Sequence, residues 1–277
     1  MLTLPDVTLI CADTRTPELA IAAMQRCMAL ARFGECILFT DPLSFPLMPD
    51  GIRGEAVQIE SVTAYSLFML RGLNKYINTS HVLVVQWDGY ALNAEQWLQE
   101  FLEYDYIGAT FRKQSPERMV GNGGFSLRSK RLLQSLQSPE MVIHNPEDTC
   151  ICHANRERLE GQYGIRFAPP QLAAKFSFER LPPEGKTFGF HGLFNMQRVL
   201  SQHDLHALVL KLPPALVCGP DARDLCRALI ASNKLDTAAI IIEKRRISGM
   251  RDRRTLRLQM QHRWQSIFKR TAKTNIQ

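Results

Sequence analysis

The chain has 277 residues, of which 45% are hydrophobic and 22% are charged. A chain of this length and composition can bury a sizeable core, as one large domain or as a domain with an appendage, which excludes an extensively disordered protein. Residues 1–6 lack the basic start and long apolar core of a signal peptide, and no apolar run approaches the roughly 20 residues that span a bilayer, so we expect a cytoplasmic protein.

The first predicted elements form a strand–helix–strand unit. The apolar segments 7–12 and 36–40 predict two buried strands, and the apolar spacing in residues 18–31 predicts the helix between them. Thr16 is placed to cap that helix and Pro17 to begin it. The unit indicates a nucleotide-binding half of a doubly wound sheet. It has neither a Gly-x-Gly-x-x-Gly turn nor a P-loop, so neither a dehydrogenase nor an ATPase is supported.

The middle of the chain continues to alternate between strands and helices. We predict short strands at 57–59 and 107–109, helices over 61–76 and from Asn93 onward, a polar loop at 112–118, and late edge strands at 166–170 and 173–179. After Met196 the glycine-rich loops stop and helical segments follow. We therefore predict two domains, an α/β domain over residues 1–196 and a helical, basic extension over residues 197–277.

The extension carries most of the positive charge. The formal net charge is +7, and the segment after Glu243 has eleven Lys and Arg residues against a single acidic residue, Asp252. Such a segment favours an anionic partner, which lipid headgroups, an anionic glycan or nucleic acid could each supply. The segment contains Trp264 and Phe268 but no recognisable nucleic-acid-binding motif. We therefore favour a membrane surface or a lipid-linked acceptor, and expect a peripheral location at the inner face of the membrane.

A strand predicted at residues 82–85 ends in Gln86-Trp87-Asp88-Gly89. The run is short, apolar and rich in β-branched residues, as in a buried parallel strand. Open α/β sheets bind ligands at the carboxyl ends of their strands, so Gln86 and Asp88 are candidate ligands of a hard divalent cation chelated by a diphosphate. The alternative is that Asp88-Gly89 only makes a turn.

A glycine-rich stretch follows, in which Gly121, Gly123 and Gly124 bracket Asn122 before a strand-like segment at residues 125–128. Glycines allow backbone amides to approach a ligand closely or to adopt positive φ. A tight turn without any ligand is the alternative interpretation.

Three titratable residues complete the candidates. Glu147 and Asp148 lie where a helix begins, so they can supply a general base or simply cap the helix. His191 lies between an aromatic residue and a glycine. Its neutral imidazole would complement Asp88 as a metal ligand, and a packed core residue is the alternative.

Five motifs in a fixed order resemble those of GT-A-type nucleotide-sugar glycosyltransferases: Gln-x-Asp-Gly at 86–89, Tyr-Asp-Tyr-Ile-Gly-Ala at 104–109, Gly-Asn-Gly-Gly-Phe-Ser-Leu-Arg at 121–128, Pro-Glu-Asp at 146–148 and Phe-Gly-Phe-His-Gly at 188–192. More closely, they resemble a bacterial family catalogued only as a domain of unknown function, DUF5672. The resemblance covers about residues 7–192. It implies a GT-A-like, Rossmann-like α/β fold with a mixed, mainly parallel sheet flanked by helices.

The resemblance also implies roles for individual residues. Asp88 would bind a divalent metal, Mn²⁺ or Mg²⁺, together with the donor diphosphate, and His191 would be the second metal ligand. Gln86 stands where such enzymes usually carry a first Asp. Asp148, with Glu147 beside it, would deprotonate the acceptor hydroxyl. The donor would further contact the loop glycines and a nucleoside-binding turn, a set that comprises Ala12, Asp13, Thr14, Arg15, Asp41, Gly123 and Gly124.

The implied function is a metal-dependent glycosyltransferase that moves a sugar from a nucleotide-sugar donor to a hydroxyl of a glycan or lipid-linked acceptor in cell-envelope polysaccharide synthesis. Direct displacement with Asp148 as base would invert the anomeric centre. Two alternatives stay open. A non-catalytic GT-A-like module that binds nucleotide or glycan would fit Gln86 in place of Asp. A sugar nucleotidyltransferase shares the doubly wound sheet, but it usually carries a glycine-rich basic loop after its first strand, and residues 12–17 contain no glycine.

Overall fold

The computed structural model describes residues 1–112, 114–115 and 118–274, with side chains described as far as Ile267. The chain divides into two compact units, Met1–His191 and Gly192–Gln277, and each is described by itself. The predicted domain boundary, after Met196, falls inside the second unit. Of the predicted loop at 112–118, Lys113, Pro116 and Glu117 lie outside the described residues.

The first unit is built on a six-stranded sheet. Its strands in chain order are β1 (Leu2–Ala12), β2 (Ala31–Thr40), β3 (Arg53–Ala56), β4 (His81–Val85), β5 (Tyr106–Gly108) and β6 (Phe125–Ser129). They lie in the order β3-β2-β1-β4-β6-β5. The strands β1 to β4 are parallel, whereas β6 runs antiparallel to both β4 and β5. This mixed, mainly parallel sheet flanked by helices confirms the predicted fold class.

Helices connect these strands, and a small second sheet follows them. The helices of the first unit are α1 (Pro17–Leu30), α2 (Val62–Leu67), α3 (Lys130–Ser135), α4 (Glu147–Thr149), α5 (Arg156–Tyr163) and α6 (Pro170–Phe176). The second sheet pairs β7 (Ser177–Phe178) with β8 (Gly189–Phe190) in parallel. After α2 the chain stays helical through a π-helical turn at Phe68–Gly72 and a 3-10 turn at Leu73–Tyr76, which confirms the helix predicted over 61–76.

The burial of the central strands explains why their sequences are continuous apolar runs. All five residues of β4 are buried, as parallel strands covered on both faces require. On one face, Val82 and Val84 form a cluster with Ile10 and Ile37 of the neighbouring strands and with Met69. Burial of this face holds the carboxyl ends of β1, β2 and β4 in fixed positions at one edge of the sheet.

Three predicted strands differ from the structure. At 166–170 only an isolated bridge from Phe167 to Tyr106 forms. The strand predicted at 57–59 is instead β3 at Arg53–Ala56, where a polar edge strand is stabilised by the ion pair from Arg53 to Glu35 (2.7 Å) and has no apolar signature. Residues 173–176, predicted as part of a strand, belong to α6, because Pro170 begins a helix there.

Two further local predictions also differ from the structure. The helix predicted from Asn93 is replaced by two 3-10 turns, Ala94–Gln96 and Gln99–Glu103. Thr16 does occupy the position before α1, but it makes no side-chain cap. Its hydroxyl donates instead to the Asp13 carboxylate (2.8 Å).

The second unit is helical. Its helices are α7 (Met196–Val199), α8 (Gln202–Lys211), α9 (Pro214–Val217), α10 (Pro220–Ala231), α11 (Leu235–Ile247) and α12 (Arg253–Thr274). Two residues of the predicted basic tail have structural roles here. Lys244 donates to the carbonyls of Val209, Leu210 and Leu212 at the end of α8, and the buried Arg245 donates to those of Val217, Cys218 and Gly219. Among the described residues, no helix is both long and apolar enough to cross a bilayer.

Asp105, just before β5, ties three segments of the first unit together. Its buried carboxylate accepts hydrogen bonds from the Ser129 hydroxyl (2.5 Å), the Arg131 guanidinium and the backbone N–H of Arg166 (2.8 Å). Burial opposes ionisation of Asp105, but the bonds from Arg131 and Ser129 outweigh it, so its pKa is lowered. The carboxylate is therefore a stabilising anion in the folded protein.

We expect Asp105→Asn to lower the free energy of unfolding by about 2–3 kcal/mol at pH 7, because the charged hydrogen bonds of a buried carboxylate are lost. Since the folded pKa lies below the unfolded one, this stabilisation is present above about pH 4 and is lost as the pH falls through the folded pKa. Urea unfolding of both proteins between pH 7 and pH 3 measures it. Glu103→Gln, two residues away and exposed, is the control and should change nothing. Equal stability of Asp105→Asn and wild type at pH 7 would contradict the assignment.

Candidate active site

The carboxyl end of β4 presents Gln86 and Asp88. The predicted Asp-Gly turn is present, since the Gly89 N–H donates to the Gln86 carbonyl (3.0 Å). Asp88 is nevertheless directed inward: it is only 7% exposed, and its Oδ1 lies 3.4 Å from Nε2 of His191. The turn and the contact with His191 are therefore compatible, and the turn brings Asp88 to the histidine.

His191 follows β8 and is the residue on which the candidate site converges. Its Nε2 lies 3.1 Å from Oε1 of Gln86 as well as facing Asp88, and its Nδ1 lies 3.7 Å from Oε1 of Glu179. Burial of the ring opposes its protonation, but the carboxylates of Asp88 and Glu179 raise the pKa of His191 to about 10. The two carboxylates therefore favour the protonated form of the ring.

The glycine-rich loop reaches the same edge because β6 is antiparallel. Phe125, the first residue of β6, pairs with Val85, the last residue of β4, so the preceding loop lies beside the end of β4. A Cβ on Gly124 would lie 2.1 Å from Nε2 of His191, and a Cβ on Gly89 would lie 3.0 Å from Cδ2 of the same ring. Gly124 is therefore required for the ring to fit, and at Gly89 a Cβ would also lie 2.8 Å from the carbonyl oxygen of Phe190.

Glu147 and Asp148 lie against this loop from α4. The Gly123 N–H donates to Oδ2 of Asp148 (3.1 Å), and Oδ1 of the same carboxylate accepts from the Thr149 N–H (2.7 Å). Glu147 is buried, and its Oε1 pairs with Nη2 of Arg128 at 3.0 Å. The two neighbouring carboxylates thus differ: Glu147 is held in a buried ion pair, whereas Asp148 is partly exposed.

The predicted nucleoside-binding residues also lie at the carboxyl edge of the sheet. Asp13 follows β1, and both of its carboxylate oxygens accept bonds from the turn it begins, including the N–H groups of Arg15 (2.8 Å) and Thr16 (2.7 Å). The Thr14 hydroxyl donates to the carbonyl of Ile59 (2.7 Å). Asp41 follows β2 and caps the 3-10 helix Pro42–Leu47. These turns place Ala12 and Arg15 at the edge, and nucleoside binding there stays a prediction.

The structure brings most of the predicted site residues into one cluster. Asp88, Gln86, His191 and Gly124 are linked by direct contacts, and Gly123 links the loop to Glu147 and Asp148. The turn residues after β1 and β2 share the same edge of the sheet with this cluster.

Three residues of this region were not predicted. Glu179 faces His191, Arg128 pairs with Glu147, and the Tyr65 hydroxyl accepts a hydrogen bond from the Gln86 amide (3.0 Å). Burial raises the pKa of Tyr65 well above its usual range, so the phenol stays neutral. Alternation in the strand at 125–128 marked Arg128 as polar, but nothing in the sequence indicates its partner.

A divalent metal is implied by the fold, and the residues present fit one. No three His, Cys, Asp or Glu side chains surround a single point in the part of the chain that the structure describes. Nε2 of His191 is, however, 3.1 Å from Gln86 Oε1 and 3.4 Å from Asp88 Oδ1, and neighbouring ligands of an octahedral ion lie about 3 Å apart. Mn²⁺ or Mg²⁺ commonly takes few protein ligands and completes its shell with substrate phosphates and water. The ion would have to displace the His191 proton, because only neutral imidazole is a ligand.

The sheet order, with β6 reversed beside β4, defines a GT-A-like, Rossmann-like fold with its candidate site at the carboxyl edge. The chain belongs to the family described as Protein of unknown function (DUF5672), whose profile matches residues 53–191. That match covers about half of the chain and ends at His191, which confirms the family resemblance. No curated protein matches the chain.

Several solved structures are similar to the chain at low identity. A glycosyltransferase involved in the glycosylation of the major capsid of PBCV-1 is 12% identical, with 67% of this chain and 91% of that chain covered and a TM-score of 0.42. The glycosyltransferase GlyE of Streptococcus pneumoniae TIGR4 is 10% identical, with coverages of 66% and 53% and a TM-score of 0.40. The bifunctional IspDF of Campylobacter jejuni is 7% identical, with coverages of 61% and 49% and a TM-score of 0.39. Similarity at this level does not establish an activity.

Proposed function

We propose that this protein is a metal-dependent glycosyltransferase that moves a sugar from a nucleotide-sugar donor to a hydroxyl group of a glycan or lipid-linked acceptor. One observation carries the proposal: Asp88, Gln86 and His191 converge within 3.4 Å at the end of β4, directly beside the glycine loop. Ligand sites of open α/β sheets lie at this edge. Synthesis of a cell-envelope polysaccharide is the setting in which we place the reaction.

We assign a separate role to each group of residues in and around the cluster. Asp88, His191 and the Gln86 carbonyl would hold Mn²⁺ or Mg²⁺, which neutralises the charge of the departing nucleoside diphosphate. The turns at Ala12–Arg15 and Asp41 would hold the nucleoside, and Gly123 and Gly124 would allow the sugar to approach the loop. Asp148 would take the proton of the acceptor hydroxyl as its oxygen bonds to the anomeric carbon and the diphosphate oxygen leaves. Such a direct displacement inverts the anomeric centre.

A non-catalytic module that binds nucleotide or glycan is the second candidate, and Gln86 favours it. An amide in place of a carboxylate leaves the cluster with one negative charge fewer for holding a cation. Metal-stimulated release of nucleoside diphosphate from a nucleotide sugar would distinguish an enzyme from such a module. The turn after β1 does not favour a nucleotidyltransferase. It lacks glycine and is instead ordered by the Asp13 carboxylate.

We expect nucleoside diphosphates or nucleotide sugars to raise the melting temperature of the protein only when Mn²⁺ is present. A ligand at 100 times its dissociation constant stabilises the native state by about 2.7 kcal/mol. A thermal-shift panel of these compounds, with and without Mn²⁺, measures the effect. In Asp88→Ala the shift should disappear.

The control for this panel is Asp50→Ala, which removes an exposed carboxylate from the turn before β3, outside the proposed donor and metal sites. It should keep a metal-dependent shift. If no compound stabilises the wild type, the glycosyltransferase proposal loses its support. If one compound stabilises wild type and Asp88→Ala equally, the metal and diphosphate are not at Asp88.

We also propose that the second unit binds an anionic membrane surface through α12. Leu256, Met260, Trp264 and Ile267 recur every three or four residues, so they share one face of the helix, and each is 50% to 63% exposed. Leu256, Met260 and Trp264 line a groove of about 910 Å³, whose lining also includes Arg227, Arg253 and Arg257. Apolar residues with a Trp, flanked by Arg, match the interface of an anionic bilayer. We call these four residues the apolar stripe.

We expect Met260→Asp combined with Trp264→Asp to abolish cosedimentation with phosphatidylglycerol vesicles, because both apolar burial and charge attraction are weakened. Leu210→Asp, on an equally exposed residue of α8, is the control and should bind as wild type does. Point substitutions are needed because a deletion from Arg245 would remove a buried guanidinium. Equal binding of all three proteins, or a wild-type dimer that the double variant dissociates, would overturn the proposal.

A further inference from the structure

The register of the small second sheet places Glu179 beside His191. In the parallel pair of β7 and β8, Phe178 lies opposite Phe190. Glu179 directly follows β7 and His191 directly follows β8, so the two residues lie next to each other. The His191 N–H donates to the carbonyl of Phe178 (3.0 Å), which extends this pairing to the end of both strands.

The two ring nitrogens of His191 face different partners. Nε2 faces Asp88 (3.4 Å) and Gln86 (3.1 Å), whereas Nδ1 faces Oε1 of Glu179 at 3.7 Å. Rotation of the ring is restricted by the close packing of Gly124 and Gly89, since a Cβ at these positions would lie 2.1 Å from Nε2 and 3.0 Å from Cδ2. At 3.7 Å the Glu179 carboxylate is in charge contact with Nδ1, at a distance longer than a hydrogen bond.

We propose that Glu179 is the positioning residue of the metal site, which orients His191 so that Nε2 is directed at the divalent cation. This inference rests on the proposed metal-dependent function. A carboxylate that accepts the Nδ1–H of a ligating histidine fixes the tautomer and makes the other nitrogen more basic. Glu179 touches neither the cation nor the substrate, and it acts through His191.

The chain's other nearby groups support this role. The side chain of Glu179 is mostly buried, and its Oε1 lies 3.7 Å from Nε of Arg180 as well as 3.7 Å from Nδ1 of His191. A carboxylate that served only to pair with Arg180 at the surface would have no need to lie beside the imidazole. The experiment must distinguish positioning of His191 for the metal from a purely structural role of Glu179.

The test measures Mn²⁺ affinity directly, from the loss of the free-ion electron paramagnetic resonance signal on titration of the full chain with Mn²⁺ alone. Removal of a carboxylate behind a ligating histidine commonly weakens metal binding 10- to 100-fold. We expect about 10-fold weaker binding in Glu179→Gln, whose amide oxygen can still accept from Nδ1, and about 100-fold weaker binding in Glu179→Ala. Because Glu179→Gln also removes a charge beside His191, the metal-free melting temperatures are measured as well, and the Mn²⁺ affinities are compared at a temperature at which all variants are folded.

Glu184→Gln, an exposed carboxylate five residues further along, is the matched control and should bind Mn²⁺ as wild type does. If wild type binds Mn²⁺ and Glu179→Gln and Glu179→Ala bind it equally well, the positioning role is overturned while the proposed function stands. If wild type and Asp88→Ala both fail to bind Mn²⁺, the proposed metal site is itself overturned, and this inference with it.

Discussion

Replacement of Asp148 with Asn is expected to reduce sugar transfer by about 10²- to 10⁴-fold, the contribution that a positioned general base makes to a proton transfer. Asn has the shape of Asp and retains one oxygen acceptor, but it cannot take the proton of an acceptor hydroxyl. Initial rates of transfer, measured with the donor that the thermal-shift panel identifies, test this expectation.

Donor binding in Asp148→Asn should stay near that of wild type. The residue contacts the loop through the Gly123 N–H and makes no contact with Asp88 or His191 in the described structure. The loss should therefore fall on the rate of transfer and leave the metal-dependent thermal shift unchanged. Transfer by the variant at the wild-type rate would exclude Asp148 as the base.

Glu147→Gln is the informative comparison, because Glu147 is adjacent in sequence and differs in environment. Its carboxylate is paired with Arg128 beneath the loop, so we expect the substitution to act mainly on stability. If Glu147→Gln abolishes transfer and Asp148→Asn does not, the two neighbouring residues exchange the roles that we propose.

Replacement of Arg128 with Met is expected to lower the free energy of unfolding by about 3–5 kcal/mol, because it leaves the Glu147 carboxylate buried without its partner. The Arg128 side chain is completely buried. Besides Glu147 it donates to the Ser126 hydroxyl (3.1 Å) and to the Gly123 carbonyl (3.4 Å), and it lies over the Tyr106 ring. Burial opposes its charge, but Tyr106 and Glu147 raise the pKa of Arg128 above its ordinary value, so it remains a cation.

The matched control is a double variant, Arg128→Met with Glu147→Leu, which replaces the pair by apolar residues of similar volume. Such replacements of buried ion pairs are often neutral, so the double variant should recover most of the lost stability. Urea unfolding of the wild type, both single variants and the double variant completes the cycle. A single-variant cost below about 1 kcal/mol would show that the pair does not stabilise the loop.

The local sequence predicted the strands that carry the site, and it failed where the signal depends on distant partners. The segment at 82–85 is apolar on both faces, so its strand and the positions of Gln86 and Asp88 follow from composition alone. The strand β3 is polar and depends on an ion pair between Arg53 and Glu35, which are 18 residues apart in sequence. Local composition therefore could not find it.

The same distinction applies to the candidate site. Asp88, Gly123 and His191 belong to recognisable motifs, so the family resemblance identified them as candidate site residues. Glu179 and Tyr65 have no motif, and their relation to the site arises from the register of β7 with β8 and from a hydrogen bond across the sheet edge. For Asp13, the sequence placed the residue correctly at the end of β1, but not the use of its carboxylate in organising the turn.

The bond between Gln86 and His191 joins residues 105 positions apart in the chain. Closing so long a loop is entropically costly and is rewarded only when the intervening elements have formed, so contacts of this kind tend to form slowly. The proposed metal site therefore forms only in a fully folded first unit. Donor and cation, supplied during refolding, should then raise the yield of native protein, since they bind the end product and no earlier species.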